Sequence, residues 1–235
     1  MKPFNILHYS WSALLIFTSI PCALAQDPVQ ILKISDADRN NLSSIVRRTD
    51  DRFGHSVAIH GKFAVAGTPH YHSLLQTDPT WVLPNSGAAF LYENIAGTWT
   101  MVKKLEPDTL LRNSDEFMRF GYSVAIHGNT IVVGVFPPAE PDPDDLSLTP
   151  RQKGAAYIFS KDHGGPGNWG QVKKLIPPTP EPFGRFGYSV AIYENTVIVG
   201  APFDALDSDE QHFLENAGAV YVYQKDPEGG ENWGL

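Results

Sequence analysis

The chain has 235 residues, of which 18 are lysine or arginine and 26 are aspartate or glutamate, giving a formal net charge of −8. Because nucleic-acid binding depends on a basic surface, this balance argues against a nucleic-acid partner. The single cysteine, Cys22, also excludes a fold held together by disulfides.

Residues 1–25 are typical of a secretory signal peptide. Lys2 supplies a positive start, Trp11 to Ile20 form an apolar run, and Ala23-Leu24-Ala25 is a small-x-small cleavage site before Gln26. The run is too short to cross a bilayer as a helix, and no later stretch stays apolar for long enough. We therefore expect a secreted or cell-surface protein with no integral membrane segment once the signal is removed.

An internal repeat organises the rest of the chain. A short apolar stretch at 30–34 predicts the last strand of a preceding or closing unit. The motif Phe-Gly-(His or Tyr)-Ser-Val-Ala-Ile then begins at Phe53, Phe120 and Phe186, at intervals of about 66 residues, and such regular spacing indicates a repeat architecture. The repeat units lie near 53–105, 120–175 and 186–235.

Each unit is predicted to contain four strands. The motif alternates large and small residues, so the first strand should place the large ones on one face and the small ones on the other. In the second copy the large residues are Phe120, Tyr122, Val124 and Ile126, and the small ones are Gly121, Ser123 and Ala125. A β-branched second strand follows a short turn that contains Gly or Asn, which predicts an antiparallel hairpin. After a long loop, third strands begin at Gly87, Gly154 and Gly218, and fourth strands at Trp99, Trp169 and Trp233.

Four antiparallel strands repeated along a chain without helical periodicity predict an all-β fold built of β-propeller blades. The repeat resembles the FG-GAP repeat of integrin alpha subunits, because Phe-Gly occurs at the start of all three copies and Gly200-Ala201-Pro202 follows the last second strand. The resemblance implies FG-GAP propeller repeats across residues 26–235. Since propellers close with roughly four to eight blades, we expect an incomplete propeller that is part of a longer one.

Calcium is the one cofactor that the sequence suggests. The resemblance implies calcium loops between the first two strands, but the turns at these places are too short to wrap the ion. The acidic loop after the last second strand offers Asp204, Asp207 and Asp209 instead. These carboxylates either hold calcium or form a solvated acidic loop.

Two further residues are candidates for contact or modification. Trp81 does not recur and lies in a long loop, so we predict that it contacts a protein or carbohydrate ligand, whereas the recurring Trp99, Trp169 and Trp233 should pack internally. Asn41 begins an Asn-Leu-Ser sequon, which predicts glycosylation if the source is a eukaryote.

No catalytic constellation is evident. The repeated Ser56, Ser123 and Ser189 belong to the strand motif and have no recurring histidine or aspartate beside them. We therefore predict a non-catalytic binding or cell-adhesion module that presents the loops 68–86, 135–153 and 201–217 on a rigid scaffold. The alternatives are an accessory propeller domain of a larger extracellular enzyme and a truncated remnant without independent function.

Overall fold

A computed structural model describes residues 50–110, 118–136, 154–178, 184–205, 217–227, 230 and 232–235. Within these ranges the secondary structure is entirely β-strand, and no helix is long and apolar enough to cross a membrane. The predicted signal peptide at 1–25, the strand at 30–34, and Asn41, Asp207 and Asp209 lie outside the described residues.

The strands form three four-stranded antiparallel sheets, as the repeat predicts. Blade one contains β1 (Ser56–His60), β2 (Phe63–Thr68), β5 (Ala88–Ile95) and β6 (Thr98–Leu105). Blade two contains β7 (Phe120–His127), β8 (Thr130–Val135), β9 (Ala155–Lys161) and β10 (Trp169–Leu175). Blade three contains β11 (Ser189–Tyr193), β12 (Thr196–Ala201), β13 (Ala219–Lys225) and β14 (Trp233–Gly234). In each blade the four strands lie side by side in chain order, and each is hydrogen-bonded to the next.

The tight turns between first and second strands explain why the sequence favours glycine there. Gly61 and Gly128 both have a φ of 56°, in the left-handed region that glycine adopts without steric cost. In the third copy Glu194 adopts a φ of 51° at the same place. The predicted hairpins are thus present in all three blades. In the third hairpin, Glu194 adopts the left-handed conformation, which is unfavourable for residues other than glycine.

The first strand departs from simple alternation at its start. In β7 the register with β8 shifts between Phe120 and Ser123, so Phe120 is fully buried whereas Tyr122 is only half-buried. Val124 and Ile126 are buried together, as predicted. The prediction that Tyr122 shares their face was wrong, because the shift at Gly121, whose φ is 86°, turns the tyrosine toward the end of the blade.

Adjacent blades pack closely through the small residues of the motif. One apolar core lies between blades one and two, and a second lies between blades two and three. The Ser56 hydroxyl donates a hydrogen bond of 2.8 Å to the carbonyl oxygen of Gly121 in the next blade, and Ser123 donates one of 2.8 Å to Gly187. The small residues of the motif therefore allow the backbones of neighbouring blades to approach closely.

The loop at 68–86 contains an additional hairpin that the sequence analysis did not predict. Its strands are β3 (Ser73–Leu75) and β4 (Asp78–Leu83), which pair antiparallel. Leu75 and Leu83 are buried in the core between blades one and two. This burial explains why the segment is ordered as a hairpin.

Candidate ligand site: an arginine and aromatic row

The candidate site begins with a turn that is repeated at the start of each first strand. Arg52, Arg119 and Arg185 directly precede the Phe-Gly pairs and have φ angles of 54°, 54° and 52°. The residue three positions after each arginine donates its backbone N–H to the arginine carbonyl, over 3.0, 3.2 and 3.1 Å respectively. The turn therefore places an arginine and the ring of His55, Tyr122 or Tyr188 at the same end of the blade.

These rings form a continuous row across the blades. The ring centroids of His55 and Tyr122 lie 4.7 Å apart, and those of Tyr122 and Tyr188 lie 5.4 Å apart. Phe136, which follows the end of β8, stacks on Tyr122 with a centroid distance of 4.3 Å. Such separations are those of interacting aromatic pairs, so the row is a packed surface that joins all three blades.

The arginines lie on and beside this row. The Arg185 guanidinium lies 5.0 Å from the centroid of Phe136 and 4.2 Å from that of Phe203, while the Arg119 guanidinium lies 6.0 Å from Phe136. Arg119 is half-buried, and its Nε is buried without a hydrogen-bond partner among the described residues. A buried guanidinium N–H that lacks an acceptor costs stability.

Burial, and to a smaller extent the nearby arginines, lower the pKa of two histidines beside the row. Burial and the nearby Arg52 lower the pKa of His55. Burial, Arg52 and Arg119 lower the pKa of His70, and Asp50 opposes this shift at 3.7 Å from the imidazole. Arg52 and Arg119 therefore place positive charge beside these imidazoles, and Asp50 opposes it.

Tyr122 is also perturbed by its position in the row. Burial raises the pKa of its hydroxyl, and so does its hydrogen bond with Tyr188, whereas Arg119 and Arg185 act in the opposite direction. The Tyr122 hydroxyl, with its raised pKa, stays protonated at neutral pH, so it can donate a hydrogen bond to an anion. The row therefore combines guanidinium groups, hydroxyl donors and aromatic faces.

Asp204, the described member of the predicted calcium set, is buried and occupied within its own blade. Its carboxylate accepts a hydrogen bond of 2.5 Å from the Tyr221 hydroxyl, and its carbonyl accepts the N–H of Gly218. Among the described residues no group of three or more His, Cys, Asp or Glu converges on a possible metal position. Calcium binding that also uses Asp207 and Asp209 stays a prediction.

The tryptophans differ in their surroundings. Trp81 lies on β4, is half-buried and packs against the core of the first two blades, and its contact with a ligand stays a prediction. Trp169 and Trp233 are buried in the two inter-blade cores. The recurring tryptophans therefore pack inside the molecule at these two positions.

The arginines were not predicted from the sequence, because the repeated motif was taken to begin at phenylalanine. Extending it by one position gives Arg-Phe-Gly in all three copies, at Arg52, Arg119 and Arg185. Identical charged residues at matching places in an internal repeat are a signal that was present in the sequence. Their partners Phe136 and Phe203 could not be found in this way, because the two residues do not occupy matching positions in the repeat. Phe136 directly follows β8, whereas Pro202 separates Phe203 from β12.

Three four-stranded antiparallel sheets that pack blade against blade define a β-propeller-type repeat protein. The family model of the FG-GAP repeat matches residues 99–159 and 169–223, so each match runs from the fourth strand of one blade to the third strand of the next. This chain is an FG-GAP repeat protein. The comparison with curated proteins gave no match.

Proposed function

We propose that this protein is a secreted, non-catalytic binding module that holds an acidic carbohydrate chain along the arginine and aromatic row. The observation that carries the proposal is the presence of an arginine in the same strained turn of three neighbouring blades. The signal-like residues 1–25 and the extracellular setting typical of FG-GAP repeats support secretion. The proposed site includes Phe136 and Phe203, which follow the second strands of blades two and three.

The chemistry of the row fits a linear ligand with repeated negative charges. Guanidinium groups bind carboxylate and sulfate oxygens through paired hydrogen bonds, and aromatic rings add apolar contact. Residues Arg52, Arg119 and Arg185 belong to successive blades, so a ligand that crosses the blades meets one after another. An acidic polysaccharide presents its charges in the same manner.

The test uses the secreted chain with polygalacturonate as the acidic carbohydrate, poly-L-glutamate as an acidic peptide and dextran as a neutral polysaccharide. Titration calorimetry should detect the tightest binding to polygalacturonate and none to dextran, with affinity falling as salt is added. Tighter binding to poly-L-glutamate would replace the carbohydrate with an acidic protein segment. Equal binding of dextran would contradict a role for the arginines.

A matched pair of variants localises the site. Arg52→Asn removes one positive charge from the row, and Lys62→Asn removes one from the hairpin at the other end of the same blade; their side chains are 51% and 60% exposed. We expect Arg52→Asn to weaken binding about three- to fivefold, as for a partly exposed ion pair, and Lys62→Asn to leave it unchanged. An equal loss in both variants would indicate attraction by overall charge.

The histidines give the binding a pH dependence. Burial and then Arg52 lower the pKa of His55 in the free protein, and burial, Arg52 and Arg119 lower that of His70. An anion bound beside them favours protonation, so affinity should increase as the pH falls below the ordinary histidine pKa of about 6.5. Affinity that is constant across this range would place the ligand away from these imidazoles.

A further inference from the structure

We propose that Phe136 is a positioning residue of the arginine and aromatic row, whose ring holds the guanidinium groups of Arg119 and Arg185 beside the same stretch of an acidic carbohydrate chain. This assignment rests on the function proposed above, and it locates the tightest contact with the ligand at one place in the row. That place is the joint between blades two and three, where both arginines approach the ring.

The ring of Phe136 is held by residues of two neighbouring blades. Phe136 directly follows β8 and is half-buried. Its ring stacks on that of Tyr122 in blade two, with a centroid distance of 4.3 Å and an interplanar angle of 29°. It also meets the ring of Tyr188 in blade three edge to face, at a centroid distance of 5.4 Å. Aromatic pairs at these distances attract each other, so the two tyrosines fix the ring between the blades.

The two arginines come from different blades and approach this one ring. Arg119 lies in the turn before the first strand of blade two, and its guanidinium is 6.0 Å from the ring centroid. Arg185 lies in the matching turn of blade three, and its guanidinium is 5.0 Å from the same centroid. A cation within roughly 6 Å of an aromatic centroid is attracted to the ring. Since a guanidinium on an aromatic face can still donate from the N–H groups in its plane, Phe136 brings the donors of two blades to one place.

The repeat itself marks Phe136 as an exception. The residue that directly follows the second strand is Pro69 in blade one and Pro202 in blade three. Two copies thus carry proline where the second copy carries phenylalanine, although all three keep the glycine two positions earlier. A departure from an otherwise regular pattern is expected where a residue serves a site rather than the scaffold.

Two guanidinium groups at one place favour a ligand with neighbouring negative charges. Each guanidinium can pair with one carboxylate through two parallel hydrogen bonds. A chain of uronate units carries a carboxylate on every unit, whereas a single uronate carries only one. Once one carboxylate of a chain is bound, the second contact is intramolecular, so polygalacturonate should bind at least about tenfold more tightly per chain than monomeric galacturonate.

The test is titration calorimetry on the full chain with polygalacturonate and with monomeric galacturonate. Phe136→Leu removes the aromatic face, and Phe136→Pro removes it while introducing the residue that the other two copies carry at this position. Either change should weaken the binding of polygalacturonate about fivefold, as expected for the loss of cation–π contacts. Phe136→Trp should keep the affinity within about twofold, because tryptophan is the best aromatic partner of a cation. Urea unfolding checks that each variant is folded.

Tyr193→Leu is the matched control. It is also a change from an aromatic ring to leucine, but it lies at the hairpin end of blade three, away from the row, and Tyr193 is 68% exposed. We expect this variant to bind polygalacturonate as tightly as the wild-type chain.

A double-mutant cycle separates positioning from direct contact with the ligand. In an Arg185→Gln background, Phe136 has lost one of the two guanidinium groups that it holds. Phe136→Leu should therefore weaken binding only about twofold in that background, since the effects of residues in contact are not additive. Equal losses in the two backgrounds would show that the ring does not act through Arg185, which would overturn the proposal.

The remaining outcomes distinguish this proposal from the function on which it rests. If the wild-type chain and Phe136→Leu bind polygalacturonate equally, Phe136 has no positioning role, while the carbohydrate function stands. If Phe136→Leu and Phe136→Trp lose affinity equally, the size of the side chain matters and its aromatic face does not. A wild-type chain that does not bind polygalacturonate would remove both the carbohydrate function and the role of Phe136.

Discussion

The glycine at the end of each second strand offers a direct test of how the blades are joined. In Gly134→Ala the new methyl group would lie 2.1 Å from the carbonyl oxygen of Gly187, although ordinary contacts of this kind begin at about 3.4 Å. To restore an ordinary contact distance, the backbone of blade three must shift by about 1 Å or more, and the closely packed core between the blades resists such a shift. We expect the free energy of unfolding to fall by about 3 kcal/mol.

Gly200→Ala is the matched control, because the same substitution at the same motif position meets only the Ser189 hydroxyl of its own blade. Both substitutions are made in the otherwise wild-type chain. Guanidinium unfolding followed by fluorescence should then show a loss of less than about 1 kcal/mol for Gly200→Ala. Equal losses for the two variants would refute the reasoning, since the carbonyl of the next blade would then be irrelevant.

Three smaller effects follow from single contacts. Ser123→Ala removes the 2.8 Å hydrogen bond to Gly187 and should lower the free energy of unfolding by about 1 kcal/mol. Ser189→Ala, at the exposed matching position, should change it little. Urea midpoints would show the difference, and equal midpoints would contradict it. Glu194→Gly removes a side chain from a φ of 51° and should raise that free energy by about 0.5 kcal/mol in the same assay, the strain relieved exceeding the entropy cost of glycine; a lower midpoint would contradict this. Burial raises the pKa of Tyr223 to about 12, so stability should fall as the unfolded chain ionises between about pH 10 and that value, and Tyr223→Phe should make the fall shallower; an unchanged slope would mean that this hydroxyl does not titrate there.

The strands of the blades could be predicted from the sequence because the pattern of each strand occurs in three copies of the repeat. Alternation, β-branched runs and glycine turns are local features, and they fix β7 and β8 without knowledge of the neighbouring blades. The direction of Tyr122 was not predictable in this way. It depends on a register shift at a residue whose backbone packs against Ala88 of blade one, which is a contact between blades.

The candidate site was less predictable for the same reason. The sequence groups Asp204 with the aspartates that follow it, but in the fold its carboxylate is bound by Tyr221 from the neighbouring strand. The arginines could have been found from their recurrence, but their relation to Phe136 and Phe203 depends on how the ends of different blades meet. Contacts between side chains of different strands and blades are set by tertiary packing. A repeat in the sequence predicts that the blades pack together, but it does not predict which side chains meet.

The contacts that offset the unfavourable left-handed conformation of the three arginines differ from one arginine to the next. A non-glycine residue in the left-handed region costs roughly 1 kcal/mol, and cation–π contact with Phe203 at 4.2 Å offsets this at Arg185. Arg52 is 51% exposed on its side chain, its contact with Asp50 is 3.5 Å long, and it disfavours protonation of His55. An exposed pair of this kind contributes little stability.

If Arg52 serves ligand binding, replacing it should stabilise the fold and, at the same time, lower the affinity for the ligand. Asn tolerates the left-handed conformation, so Arg52→Asn should raise the free energy of unfolding by about 0.5 kcal/mol while it lowers the affinity for polygalacturonate. Opposite changes of this kind are expected where a site is maintained at the expense of stability. Denaturant unfolding and titration calorimetry on the same preparation would decide between the two roles: a destabilised variant with unchanged affinity would make Arg52 a structural residue and leave the row without a binding role in blade one.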